Sequence, residues 1–197
     1  EEDPYYTKQT YIGEDTIEEI VIPEGVTTIE PYAFANLTAL KKVTLPSTLT
    51  TIGVGAFYGC YNLTEINLEN VKFINDRASM GCNLAKAEFN EIIAIGSYAF
   101  AYLQITSVSG AYGRFTELNF PASAQSIDSG AFYGCLELRT VNFASDDVKI
   151  KLGEYVFRKC SKLTKIKINA VVIPTGAFFE CKELSNVTLG KDVSVFG

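Results

Sequence analysis

The sequence predicts a repeat solenoid: short parallel β-strands stacked side by side, each unit adding a second short strand and a single helical or 3-10 turn. Three observations predict it. An Ala-Phe pair recurs at Ala33-Phe34, Ala56-Phe57, Ala99-Phe100, Ala131-Phe132 and Ala177-Phe178, with degenerate copies at Ala78-Ser79 and Val156-Phe157. The markers lie 23, 22, 21, 32, 25 and 21 residues apart, a period at which one unit cannot bury its apolar face alone and must stack on its neighbours. The stretch ahead of each marker alternates apolar and polar residues, the period of a strand with one face inward.

The cleanest copy, 40–63, reads LKKVTLPSTLTTIGVGAFYGCYNL. Leu40, Val43 and Leu45 are apolar, with Lys42 and Thr44 polar between them, which predicts a short strand. Pro46 ends it, because proline has no N–H to donate to a ladder. Leu49 and Ile52 open a second extended run, and Gly53 and Gly55 permit a turn. Ala56, Phe57, Cys60 and Leu63 then follow at three- to four-residue spacing, which predicts one inward-facing turn of helix or 3-10 helix.

The phrase I-P-x-x-V-x-x-I-G-x-x-A-F-x-x-C-x-x-L, written IPEGVTTIEPYAFANLTAL at 22–40 and LPSTLTTIGVGAFYGCYNL at 45–63, resembles the BspA-type leucine-rich repeat family. The resemblance covers 17–197 and implies a leucine-rich-repeat solenoid of about seven to eight units. It also implies a surface or secreted bacterial protein that binds other molecules without catalysis. Residues 1–16, polar but carrying Tyr5, Tyr6 and Tyr11, lie outside the repeat as an N-terminal extension: a partial cap for the open first edge or a linker.

Copies differ in quality. The first strand is expected at 17–22. The copy at 63–83 has Ser79 where the marker phenylalanine belongs, and the copy from Leu84 has Ala87 where others have Val, Ile or Leu. Burying a Phe or Leu side chain is worth roughly 1.5–3 kcal/mol, so 71–90 is expected to be the weakest part of the stack unless neighbours have grown to compensate. After Leu103, QITSVSGAYGR at 104–114 lengthens the repeat; such insertions emerge as loops on one face, often a binding face. SDDVKIK at 145–151 adds residues too, but Asp146-Asp147 lacks the spaced acidic loop of a calcium site and reads as a solvated turn. The sequence stops at Phe196-Gly197 in mid-repeat, so the expectation is a longer repeat protein or an edge that pairs with something, including another copy.

Composition narrows the function. The net charge is −6 with no basic run, which argues against nucleic acid. No apolar run reaches membrane-spanning length. EEDPYYTK is not a signal peptide, so an export signal, if the natural protein has one, is not in this sequence. No histidine is present, which excludes Ser-His-Asp and Cys-His mechanisms. No phosphate loop or dinucleotide fingerprint appears either. No cofactor or metal is expected, and the reading is non-catalytic.

The five cysteines, Cys60, Cys82, Cys135, Cys160 and Cys181, share one slot of the repeat, filled by Leu37 and Leu103 elsewhere. Interchange with leucine predicts a buried thiol acting as a small hydrophobe; a disulfide between neighbouring copies, such as Cys160–Cys181, is the sharper alternative. NLT at 36–38, NLT at 62–64 and NVT at 186–188 match the glycosylation pattern, but each lies at a repeat junction.

Outward-facing residues of successive strands should form columns. One reads Glu19, Lys42, Glu65, Lys86, Glu117, Thr140, Lys165, Asn186, alternating in sign through five consecutive copies. The next reads Val21, Thr44, Asn67, Glu88, Asn119, Asn142, Lys167, Thr188. Alternation fixes register, since opposite charges on adjacent strands attract by a few tenths to about 1 kcal/mol. The columns are also the candidate recognition face for a host or matrix protein or glycan, with Lys42, Thr44, Glu65, Asn67, Lys86, Glu88, Glu117, Asn119, Asn142, Lys165 and Lys167 joined by Tyr112 and Arg114 of the insertion. Tyr58 and Tyr133 in the AFYGC turns, and Tyr32, Tyr98 and Tyr155 before the marker, either add contact area or pack over the turns. A structural spacer presenting another domain, or a self-association module, is the alternative reading.

Overall fold

The computed structural model describes residues 16–102, 114–144 and 149–197. Its strands, in chain order, are β1 (Glu19–Val21), β2 (Thr28–Ile29), β3 (Lys42–Thr44), β4 (Thr51–Ile52), β5 (Glu65–Ile66), β6 (Phe73–Ile74), β7 (Ala94–Ile95), β8 (Glu117–Phe120), β9 (Ser126–Ile127), β10 (Thr140–Phe143), β11 (Lys151–Leu152), β12 (Lys165–Ile168), β13 (Val172–Ile173), β14 (Asn186–Leu189) and β15 (Val195–Phe196). Every pairing is parallel. The chain sorts its strands into two ladders, and the expected solenoid is the observed fold. No helix of the described residues is long and apolar enough to cross a membrane.

The outward ladder is built from the L-x-x-I-x-I stretches, in two parts: β1-β3-β5 and β8-β10-β12-β14. Glu19 faces Lys42, and Lys42 faces Glu65; Glu117 faces Thr140, which faces Lys165, which faces Asn186. The second ladder runs unbroken as β2-β4-β6-β7-β9-β11, and β13 pairs with β15. Ile29, Ile52, Ile74, Ile95, Ile127, Leu152 and Ile173 form its buried inner column, because alternate side chains of a strand point to one face.

The third side differs from the expected helical turn. No helix occurs among the described residues; the segment 54–59 is a run of turns. The amides of Gly55, Phe57 and Gly59 donate to the carbonyls of Asp76, Ala78 and Met80 in the next repeat, at 2.9, 2.7 and 3.0 Å. Those of Ala56, Tyr58 and Cys60 donate three residues back within their own turn. An α-helix would keep all these bonds inside one segment. Left-handed residues at both ends of the segment, Gly55 (φ 58°) and Gly59 (φ 73°), stop a helix from propagating. The same pattern recurs at 98–102, 130–134 and 155–159, giving the solenoid a third hydrogen-bonded side.

Inside, the marker phenylalanines stack: Phe34 on Phe57 at 5.6 Å, Phe100 on Phe132 at 5.4 Å, Phe132 on Phe157 at 5.8 Å and Phe157 on Phe178 at 6.1 Å between ring centroids. Ser79, buried at 2% exposure, breaks the column between Phe57 and Phe100. A second aromatic column, Phe89, Phe120 and Phe143, lies at the end of the outward strands with spacings of 5.5 and 5.1 Å. Phe89 therefore adds bulk to the copy that Ala87 leaves small.

That copy is where the outward ladder parts. Leu84, Ala87 and Phe89 are buried while Ala85, Lys86, Glu88 and Asn90 are exposed. The strand pattern of burial persists, but 84–90 pairs with neither β5 nor β8. The charge alternation read across five consecutive copies is consequently interrupted at Lys86. Residues 71–77 remain tied to the second ladder through Phe73 N–H to Thr50 O and Asn75 N–H to Ile52 O, both 3.0 Å. Amides of 85–90 are therefore expected to exchange with solvent at least tenfold faster than those of Phe73, Ile74, Ala94 and Ile95. Native-state hydrogen exchange measures this; equal protection across 71–90 would contradict the parting of the ladder.

All five cysteines are free thiols, which sets aside the disulfide alternative. Each thiol donates to the carbonyl of the marker residue one repeat earlier: Cys60 to Phe34 at 3.1 Å, Cys82 to Phe57 at 3.2 Å, Cys135 to Phe100 at 3.6 Å, Cys160 to Phe132 at 3.2 Å and Cys181 to Phe157 at 3.1 Å. Leucine fits the slot but cannot make this bond. Burial pushes the Cys60 and Cys135 thiols up to about 12, Cys181 up to about 11, and Cys82 and Cys160 well above the ordinary value. A thiol that holds its proton more tightly when folded contributes stability that is full below the ordinary pKa of ~8.5. That stability is lost as pH rises through the folded values of about 11 and 12. Denaturation midpoints are expected to fall steadily between roughly pH 9 and pH 12, and a Cys135→Ala Cys160→Ala variant should show a shallower fall.

Candidate binding face

The parting of the outward ladder brings most of the sequence-derived candidates together. Lys42, Thr44, Glu65, Asn67, Lys86 and Glu88 line one cleft of about 410 Å³, with Thr64 and Glu69 beside them. Lys86, Glu88, Glu117 and Asn119 line a second, about 470 Å³, on the other side of 85–90. Asn142, on β10, joins this group through its amide, which donates to Glu117 Oε1 and Asn119 Oδ1, both at 2.8 Å. Lys165 and Lys167, exposed on β12, lie further along the ladder and line neither cleft. Arg114 is exposed just ahead of β8. Tyr112, with the rest of the 104–114 insertion apart from Arg114, and Asp146-Asp147 fall outside the described residues.

The charges are not paired as column alternation alone suggests. Lys42 pairs with Glu19 at 3.5 Å. Lys86 pairs with Glu88 of its own segment rather than with Glu65 or Glu117. The hydrogen bond and charge of Lys86 hold Glu88 below the usual carboxylate range, and Glu88 in turn raises Lys86. Glu65, Glu69 and Glu117 have no ion pair among the described residues. Asn67 serves the fold as well as the face. Its Oδ1 accepts the Leu45 N–H at 2.7 Å and its Nδ2 donates to Leu45 O at 3.0 Å. The side-chain amide thus binds the main chain just beyond β3, where β5 has already ended.

The tyrosines ahead of the markers pack over the turns. Tyr32, Tyr98 and Tyr155 have φ of 57°, 56° and 57°, a conformation that costs an L-residue roughly 1–2 kcal/mol. Each ring covers the equivalent glycine of the next repeat: a Cβ on Gly55, Gly130 or Gly176 would fall 2.4–2.5 Å from it. Sequence reading missed Arg158, whose guanidinium sits over Tyr133, Tyr155 and Phe179 at 5.5, 5.3 and 5.0 Å and reaches Glu180 at 3.7 Å. The one signal for it was that Arg158 occupies the repeat position of Tyr58 and Tyr133. Of the glycosylation-pattern asparagines, Asn62 already donates its amide to Thr38 O at 2.7 Å.

Parallel ladders, a stacked phenylalanine core and a polar outward sheet define a leucine-rich repeat solenoid. The chain belongs to the BspA-type leucine-rich repeat family: the signature described as "BspA type Leucine rich repeat region" matches residues 7–113 and 111–197, in 6 copies. The fold is similar to that of the T. pallidum leucine-rich repeat protein, which is 29% identical and superposes with a TM-score of 0.70 over 89% of this chain and 80% of that one. A leucine-rich repeat protein from Bacteroides ovatus, 21% identical, shares the fold with a TM-score of 0.59; 94% of this chain covers 58% of that longer one. No curated protein matches the chain.

Proposed function

We propose that this chain is a non-catalytic, adhesin-like binding module of a bacterial surface or secreted protein, recognising a host or matrix protein or glycan through its outward strand face. The observation that carries the reading is the convergence of eight candidate residues from neighbouring repeats on two clefts where the ladder parts. Concave openings whose walls carry a few placed polar and charged side chains suit recognition, and on the side away from 85–90 the walls come from β3, β5 and β8, which the solenoid holds in register. Membership of the family supports the surface setting.

The test compares two charge reversals. The immobilised protein is used to capture ligands from extracellular matrix and serum, and apparent affinities are measured for the captured species. Glu65→Lys Glu117→Lys, at the clefts, should weaken capture at least tenfold. Lys165→Glu Lys167→Glu, on β12, should change it less than twofold. A spacer would tolerate both; unchanged capture by the cleft variant would remove the clefts as the site, and unchanged capture by both variants would remove the strand face.

A further inference from the structure

We propose that the parted ladder is a strand acceptor: an extended, lysine-bearing segment of a protein ligand adds to the free edge of β5. This rests on the protein-binding reading above and specifies both the chemistry and the geometry of the ligand.

The edge comes first. Among the described residues, β5 pairs with β3 on one side and with no strand on the other, and β8, across 84–90, pairs only with β10. A strand with one side unpaired presents main-chain N–H and C=O groups ready to pair with another chain. Native sheets usually cover such an edge, and in this solenoid β3, β10 and β12 all have partners on both sides. The segment 84–90 stands where the next strand belongs, and a cleft separates its outward residues from β5.

The opening is confined to the outward face. Leu84, Ala87 and Phe89 remain buried beneath it, and β6 and β7 stay paired behind it. An added strand would thus meet main-chain groups and polar side chains without exposing the core. Recognition of an extended segment by a sheet edge draws affinity from backbone bonds and specificity from side chains at alternate positions.

Charge selects the segment. The lysines of the cleft are engaged, Lys42 with Glu19 and Lys86 with Glu88. Glu65 has no ion pair among the described residues, Glu69 interacts with the Lys86–Glu88 pair without an ion pair of its own, and the three carboxylates of the cleft outnumber its two lysines. The wall offered to a ligand is therefore negative, and lysines at alternate positions of an extended chain meet it best. An acidic segment or a nucleic-acid backbone would be repelled, and a neutral glycan would leave both the edge and the carboxylates unused.

The experiment uses a fluorescein-labelled eight-residue peptide alternating lysine and threonine, followed by fluorescence anisotropy with the whole protein. Three companions are a glutamate-for-lysine peptide and two lysine peptides N-methylated on one or the other alternate set of amides. The lysine peptide should bind, and one N-methylated form should bind at least tenfold more weakly. The glutamate peptide should not bind. Glu65→Gln Glu69→Gln should weaken the lysine peptide at least fivefold, and bound peptide should slow hydrogen exchange at 64–67. Failure of the lysine peptide to bind, equal binding of both N-methylated forms, or equal binding of the glutamate peptide would each overturn the proposal. The capture experiment above is independent of these peptides. A strand face that captures ligand while the lysine peptide fails would leave the broader reading standing and remove only the strand acceptor.

Discussion

Phe132→Ala is expected to remove about 3–5 kcal/mol of stability, the range for deleting a fully enclosed aromatic ring. Phe132 has no exposed surface. It stacks on Phe100 and Phe157, and it meets Phe115 and Phe120 edge-on at 6.3 and 5.9 Å. The vacated space would be walled by four rings, three of them anchored in strands or turns and Phe115 buried just ahead of β8, so it could not collapse cheaply. In a solenoid each unit is stabilised by its neighbours, and a hole in the middle weakens both adjoining interfaces together. Phe34→Ala is the comparator: Phe34 is half-buried and stacks on Phe57, so it should cost about 2 kcal/mol. Urea unfolding of the two variants measures the difference. Equal losses would show that the stack does not concentrate stability at its centre.

Gly153→Ala should cost about 3 kcal/mol or more, at or above the top of the usual range for overpacking. A Cβ there would lie 2.1 Å from Ser129 N and 2.5 Å from the Asp128 carbonyl carbon. Both are backbone atoms, so no side chain can swing aside. Moving the backbone would break the Gly153 N–H bond to Ile127 O at 2.8 Å and disturb the pairing of β11 with β9. Gly25→Ala separates sterics from backbone strain: Gly25 has φ of 94° but nothing within 4 Å of its would-be Cβ. Its replacement should cost ~1 kcal/mol. Thermal melts and urea titrations of both variants test the ranking, and a Gly153→Ala protein as stable as Gly25→Ala would refute the close approach.

Close approach also explains a pattern that is visible in the sequence yet hard to interpret there. The position of Gly153 is glycine in every second copy: Gly53, Gly96, Gly153 and Gly197, with Glu30, Asn75, Asp128 and Pro174 between. In the folded chain a Cβ on any of these glycines would strike backbone of the preceding repeat within 2.8 Å. From sequence these glycines read only as turn-permitting residues.

The parting of the outward ladder was foreshadowed in part. Ser79 and Ala87 marked 71–90 as poorly filled, but the structure narrows the unpaired part to 84–90, because β6 and its neighbours keep the rest in register. The candidate face was similarly half legible. Strand alternation identifies which residues point outward, and the clefts collect most of them. The pairing of Lys86 with Glu88, and the use of Asn67 as a main-chain mimic, depend on a departure from strand geometry that no local pattern encodes.

The linear chain by itself determined the repeat period, the inward columns of Ile, Leu and Phe, the apolar nature of the cysteine slot and the outward polarity. Each of these follows from side-chain alternation and spacing, which are local. Tertiary structure alone decided the third hydrogen-bonded side, the thiol-to-carbonyl bonds, the left-handed tyrosines and the opening beside β5. All of them arise where one repeat meets the next, and the distance and backbone angles at that meeting are set by the stack as a whole.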